Sequence, residues 1–495
     1  MKKILIVFIG ILAANVLFTA CEKDFLDTYP TDQVSSSAVL LSTDNAMTAL
    51  NGIHRALYVR YGSQGRGGIG AYMIHIDEAG EDHVHNVNNW STNLRWQTNS
   101  SPTDAYNRAN WLMFYGWIAN ANILINGVDG AAGNQEDKDA IKGQALLYRA
   151  WAHFHLVQSY GGRYKKGEVN SQLGIPLKLD NSTGPIARSS VEEVYAQINS
   201  DIDDAIILLQ GYSRTNKSHL NANVAKGIKA RVALTQGEWT IAAQYASEAR
   251  AGFSLMNEET YSQGFSIGSE SNSEFMWASQ IISDQTDIWA NYGAYISRNF
   301  SSSAIRANPR SINNLLYDKI SATDVRKTLW DPTGKHLNLP AGVSLLSTHK
   351  KFPYTNQKFI AVSNGDSRID VPLMRAAEMH LIEAEAKARG GQDGLAAQVL
   401  FDLVKTRDAA YTLSSNTGAS LIEEIMDHRR IELWGEGFRW YDLKRLNLPL
   451  DRNGSNHTTV ITNGIMSVPA GDNRWNFPIP QDEMDSNPLM EQNPI

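Results

Sequence analysis

Residues 421–446 read LIEEIMDHRRIELWGEGFRWYDLKRL, and no other stretch of the chain packs so many charges, aromatics and glycines into so few positions. Ile422, Ile425 and Leu433 recur at helical spacing, which predicts an apolar stripe facing a core. Arg429, Arg430, Glu432, Glu436, Arg439 and Asp442 lie among the apolar residues of the same stretch. Glu432 and Glu436 are four apart and so share a face on a helix, with Arg429 one turn earlier. Two close carboxylates are what a catalytic acid–base pair needs. The competing expectation is an Arg–Glu network clamping packed helices, because partly buried charges need partners.

Outward from this stretch the same periodicity recurs. Asp44–Leu57, Asn107–Ile125, Asp137–Tyr160, Val191–Leu209, Asn223–Gln236, Ile241–Ala251, Val371–Arg389 and Leu395–Thr406 each carry apolar residues at helical spacing. Gly237, Trp239, Ala242, Ala246 and Ala249, preceded by Ala230, reproduce the second half of a tetratricopeptide repeat; Gly391, Ala396, Leu400 and Leu403, preceded by Ala384, do so again. The two copies are not separated by a whole number of repeats, so helix pairs with long insertions are expected rather than a regular array. The fold class is therefore mainly α: a scaffold of tetratricopeptide-like helix pairs (residues 38–60, 104–252 and 371–446) within a single domain, 38–495. Residues 61–103, 170–190 and 253–367 are rich in Gly, Ser, Asn and aromatics with little periodicity, and are too long for plain loops. The first and last are expected to carry a ligand site, since binding residues gather on such excursions.

The N-terminus reads as a targeting signal. Met1-Lys2-Lys3 is followed by an apolar run from Ile4 to Phe18 and by Thr19-Ala20-Cys21, the pattern of a signal peptide over residues 1–20. Cys21 is the single cysteine, which excludes an intramolecular disulfide. Its setting resembles a bacterial lipobox, which implies cleavage before Cys21 and acylation of it by chains such as palmitate. Buried acyl chains contribute about 0.8 kcal/mol per CH₂, so more than one anchors stably. Glu22-Lys23-Asp24 resembles the surface-export signal of Bacteroidetes-type lipoproteins, and residues 21–37 read as a lipidated, Ser-rich tether. A net charge of −7 argues against nucleic acid as a partner.

Several further motifs resemble the SusD/RagB family of surface nutrient-binding lipoproteins over nearly the whole chain. Phe25-Leu26-Asp27 and Ala49-Leu50-Asn51-Gly52-Ile53 match its opening; Trp117-Ile118 with Asn120 and Asn122 its second helix; Arg149-Ala150-Trp151 with Tyr160-Gly161-Gly162 and Gly174-Ile175-Pro176 its third. Leu373-Met374-Arg375-Ala376-Ala377-Glu378, the stretch from Arg429 to Asp442, and Phe477-Pro478-Ile479-Pro480 with Asn493-Pro494 complete the order. The resemblance implies a protein lipid-anchored in the outer membrane and facing the cell surface. It also implies a SusC-like TonB-dependent transporter as partner, glycan or peptide as ligand, no cofactor and no catalysis.

Sugar rings present apolar C–H faces, so a glycan site needs flat aromatics beside hydrogen-bonding side chains. Of the 12 tryptophans, Trp90 and Trp96 lie among Asp82, Asn88 and Arg95, while Trp289 lies close to Tyr292, Tyr295 and Arg298. These two stretches are expected to converge on the ligand, with Asp82, Asn88, Trp90, Trp96, Trp289, Tyr292, Tyr295 and Arg298 as the candidate site. Trp111, Trp117, Trp151, Trp239 and Trp434 fall in helical stretches and are assigned to the core. His83 and His85 stand near Glu78, Glu81 and Asp82 but show no fixed ligand spacing, and no metal is expected. Residues 65–70 (GRGGIG) lack the Lys of a phosphate loop. A tetratricopeptide-type envelope scaffold without glycan affinity, or a peptide binder, is the alternative; a glycoside hydrolase using Glu432 and Glu436 is the third.

Overall fold

The computed structural model describes residues 36–283 and 287–494; the expected signal peptide, Cys21 and nearly all of the 21–37 tether lie outside them. Eleven helices of seven residues or more carry the architecture among the described residues. They are α1 (Thr43–Ala56), α2 (Gly68–Glu78), α3 (Ala105–Gly127), α4 (Gln135–Tyr160), α5 (Val191–Leu208), α6 (Ala222–Gln236), α7 (Trp239–Ala249), α8 (Ala376–Arg389), α9 (Asp393–Val404), α10 (Gly418–Glu432) and α11 (Arg439–Arg445). Local chemistry sets their ends. Asp104 caps α3 by accepting from the N–H groups of Tyr106 and Asn107, and Ser190 and Glu193 form a reciprocal capping box on α5.

Antiparallel neighbours pack as expected: α3 on α4, α4 on α5, α6 on α7, and α8 on α9. Helix α7 lies against α8, so the two repeat-like pairs are stacked although residues 253–367 separate them in sequence. The small residues that signalled the repeats lie at these contacts: Ala230, Ala242, Ala246 and Ala249 in one pair, Ala384 and Ala396 in the other, are all fully buried. The mainly-α scaffold expected from periodicity is the fold observed.

Three local expectations are corrected. Val371–Arg375 is not the start of a helix but a strand, which pairs antiparallel with Phe275–Ser279; both strands are buried along their whole length, so no alternation marks them. The 421–446 stretch is not one helix, because α10 ends at Glu432 and α11 begins at Arg439. Gly435, at φ 82°, makes the break possible: a Cβ there would lie 2.5 Å from the Phe359 ring. Third, the 61–103 excursion contains α2, whose residues are nearly all buried, so that it shows no polar face to read as a period. Four further strands, β1 (His83–Val84), β3 (Ser311–Ile312), β4 (Trp330–Asp331) and β5 (Thr355–Asn356), form a small sheet in the order β1-β3-β5-β4 that ties the two excursions together, and Leu450–Asp451 pairs with Ser467–Val468 in a separate ribbon. In this numbering the buried ribbon is β2 (Phe275–Ser279) and β6 (Val371–Arg375).

Candidate ligand-binding site

The charged stretch turns out to be the joint between scaffold and excursions. The Glu432 carboxylate accepts from Arg326 (3.1 Å), Arg375 (2.9 Å) and Arg407 (3.3 Å), and Glu436 accepts from Lys358 and Arg375, each at 2.7 Å. Glu274, immediately before the Phe275–Ser279 strand, bonds Arg407 at 2.7 Å and Arg375 as well. Burial alone would raise the Glu432 carboxyl, but Arg407, Arg375 and Arg326 hold it well below the usual range. Nearby, Arg429 and Arg445 each donate to Asp442 at 2.8 Å. Both glutamates are buried and every carboxylate oxygen is occupied, so this pair offers no exposed acid–base chemistry. The clasp also reaches outside the scaffold: Lys358 and Arg326 come from the second excursion, and Arg430 and Arg439 from the stretch itself pair with Asp82 and Glu81 of the first.

That arrangement settles where four candidate residues lie. Asp82 is buried and spent on Arg430. Trp96 is 1% exposed, its indole N–H donating to Ala79 O at 2.8 Å and its ring edge-on to Trp475. Tyr292 is buried against Phe359, with its hydroxyl donating to Gly435 O at 2.6 Å. Arg298 is 0% exposed and lies on His336. None of the four presents a surface to solvent, because each closes a joint between segments far apart in sequence.

Of the other four, Asn88, Trp90 and Trp289 keep surface exposed to solvent, while Tyr295 is 8% exposed. Trp90 is half-buried and meets Tyr295 edge-on at 5.6 Å, so the two predicted stretches do converge. Tyr106, at the first turn of α3, completes an aromatic cleft with them, floored by Gly65, His75 and Glu78. Burial keeps His75 neutral, at about 4, and its Nδ1 has no partner among the described residues. Trp90 sits at φ 57°, in the left-handed region that a non-glycine residue rarely enters, so the chain holds this indole in place against a backbone preference. Asn88 is exposed on the same loop. Trp289 is 46% exposed, its ring 5.5 Å from Phe300. It is brought beside the cleft by close backbone contact: a Cβ on Gly67 would lie 1.4 Å from Ala290 O, and one on Gly65 would lie 3.4 Å from the Trp90 ring. The GRGGIG run is thus a packing turn. Tyr106 lies in a helical stretch, where an aromatic ordinarily reads as core; its place two residues after the Asp104 cap, at a partly exposed helix end, is the signal in the sequence that sets it apart. A wider hollow of about 570 Å³, formed by residues 255–275, contains none of the predicted residues.

A helix-pair scaffold that displays aromatic side chains on long excursions defines the class: a SusD-like fold. The SusD family model matches residues 342–495, and a second model, described as starch-binding and associating with the outer membrane, matches residues 24–234. The chain belongs to the SusD/RagB family. SusD-like protein P38 of Formosa agariphila is 23% identical with 99% of each chain covered, and SusD-like protein P25 of the same organism is 23% identical over 69% of this chain and 70% of its own. Among solved structures, a SusD-like carbohydrate-binding protein from Bacteroides vulgatus superposes with a TM-score of 0.78 at 26% identity, covering 91% of this chain and 97% of that one. A laminarin-binding SusD-like protein gives 0.70 at 20% identity, with 92% and 99% covered. Among the described residues no helix is long and apolar enough to cross a membrane.

Proposed function

We propose that this protein is a non-catalytic surface lipoprotein, anchored through Cys21, that binds glycan and delivers it to a SusC-like TonB-dependent transporter. The observation that carries the reading is the convergence of Trp90, Tyr106 and Tyr295 in one cleft, with Asn93 in its lining for hydroxyl groups and with Trp289 and Asn88 exposed on the two segments that meet there. Aromatic faces take the C–H side of a sugar ring and the amide takes its rim. The family descriptions of starch-binding members and the laminarin-binding structural relative support a polysaccharide ligand.

Affinity electrophoresis against a polysaccharide panel that includes starch and laminarin is the direct test. Retardation by at least one polymer is expected, and Trp90→Ala or Trp289→Ala should weaken it without lowering the melting temperature much. Retardation undiminished in both variants would remove the site from this cleft. A protein that no polysaccharide retards would remove the function.

A further inference from the structure

Arg298 is fully buried, yet no carboxylate touches it among the described residues. Its Nη2 donates to Lys350 O at 2.8 Å, and its Nε and Nη2 each lie 3.3 Å from a nitrogen of the His336 ring. A neutral imidazole has one accepting nitrogen, so only one of those two contacts is a hydrogen bond. Nη1 has no partner among the described residues. Burial lowers Arg298 to about 10 and His336 to about 4, so at neutral pH the guanidinium is charged and the ring beside it is not. This is a buried cation without a counter-ion, an arrangement that proteins ordinarily avoid. Every guanidinium of the Glu432 clasp, by contrast, meets a carboxylate.

The surface above Arg298 has the same bias. Lys350, whose carbonyl holds Arg298, has no acidic partner for its side chain among the described residues, and its backbone N–H donates to Arg306 O at 2.8 Å. Arg306 spends its Nε on Ser301 O. Lys335, Lys350 and Lys351 are exposed, and no acidic residue occurs between Pro332 and Lys351. Asp331, just before, is occupied by Thr333 and by the Leu337 N–H. The segment is joined to the aromatic surface through Phe300: its carbonyl accepts from His349 at 3.1 Å while its ring packs on Trp289.

We propose that this corner binds the acidic groups of a glycan, uronate carboxylates or sulfate esters, with Arg306, Lys350 and Lys351 meeting the anions and Trp289 stacking on the sugar ring. Arg298 does not touch the ligand; it adds a fixed positive field from below, weakly screened because it is buried. The proposal rests on the glycan-binding reading and narrows it to acidic polymers.

Matched polymers separate the two. Native affinity electrophoresis would compare laminarin with chemically sulfated laminarin, and methyl-esterified pectin with polygalacturonate, using poly-L-glutamate as a charged polymer without sugar. An acidic member should retard the protein more than its neutral partner, and the difference should shrink between about 0.05 and about 0.5 M NaCl. The exposed double variant Lys350→Ala/Lys351→Ala, and Arg306→Gln, should weaken that retardation by up to about fivefold per cation removed, whereas Lys165→Ala should not. Whether sulfated laminarin or polygalacturonate responds assigns sulfate or carboxylate. Equal retardation by neutral and acidic partners, indifferent to these variants, would overturn the acidic class and leave glycan binding standing. Equal affinity for poly-L-glutamate would reduce the corner to a plain charge effect and overturn it also. No retardation by any of the four glycans would overturn the acidic class, and retardation by no member of the wider panel would overturn glycan binding with it.

Discussion

Glu432 shows how much one side chain can be made to hold. Three arginines from separate parts of the chain converge on its two oxygens, and none of the four residues is exposed. Removing one member of such a set leaves the others charged, buried and unmatched, which costs about 3–5 kcal/mol. Glu432→Gln should therefore lower the urea midpoint sharply, while the protein that remains folded keeps its glycan retardation; lost retardation in a fully stable variant would move the ligand to this place. The charges of the stretch were legible in sequence, and so was their structural role. Their partners were not, because Glu274, Arg326, Lys358 and Arg375 stand in segments whose approach is set by tertiary packing. Trp90 and Trp96 make the same point: both have polar neighbours, and both sit at φ near 55°. The packing of Trp475 against Trp96 and the hydrogen bond of that indole to Ala79 O distinguish the core residue from the platform.

At the scale of elements, what could be read followed from period, and what could not followed from total burial. Helices α3 to α7 have a wet face, and their bounds agree with the sequence periodicity to within two residues. The buried helix α2 and the buried strand β6 have none, so periodicity alone gives an excursion for the first and a helix for the second. The glycine turn before α2 is where element geometry meets the site, since Gly67 lets residues 61–67 lie flush on Ala290. Gly67→Ala should force these two segments apart, costing about 1–3 kcal/mol as overpacked contacts do and weakening retardation alongside. A Gly67→Ala protein with unchanged melting temperature and unchanged retardation would show that the two excursions need not touch.

For the whole molecule, pH is the most informative variable. Burial holds His75 and His85 at about 4 and His153, His155, His428 and His457 at about 3, against about 6.5 in an unfolded chain. Between those values the unfolded chain binds more protons, so stability should fall as the pH drops below about 6.5 and be nearly level above it. Asp442, where the opposing pull of Arg429 and Arg445 outweighs burial, lies at about 2 and adds a further loss at lower pH, below the ordinary carboxylate range. Asp77, raised to about 7 by burial, works in the opposite direction as a single group. Urea midpoints at about pH 7.5, 6 and 5 would check this, and a flat series would show that these histidines are wetter than their surroundings indicate. The anchor is tested separately: Cys21→Ala should release the protein from the membrane fraction, and continued retention would count against lipidation. The ribbon of β2 and β6 and the clasp beneath it have one more consequence. Glu432 pairs with Arg326 and Glu436 with Lys358, both from the 253–367 insertion, so the end of α10 and the break after it cannot bury these carboxylates until that insertion has come home. The framework therefore depends on the ligand-bearing segment for its own charge balance, and recognition surface and framework are expected to unfold together in one transition rather than two.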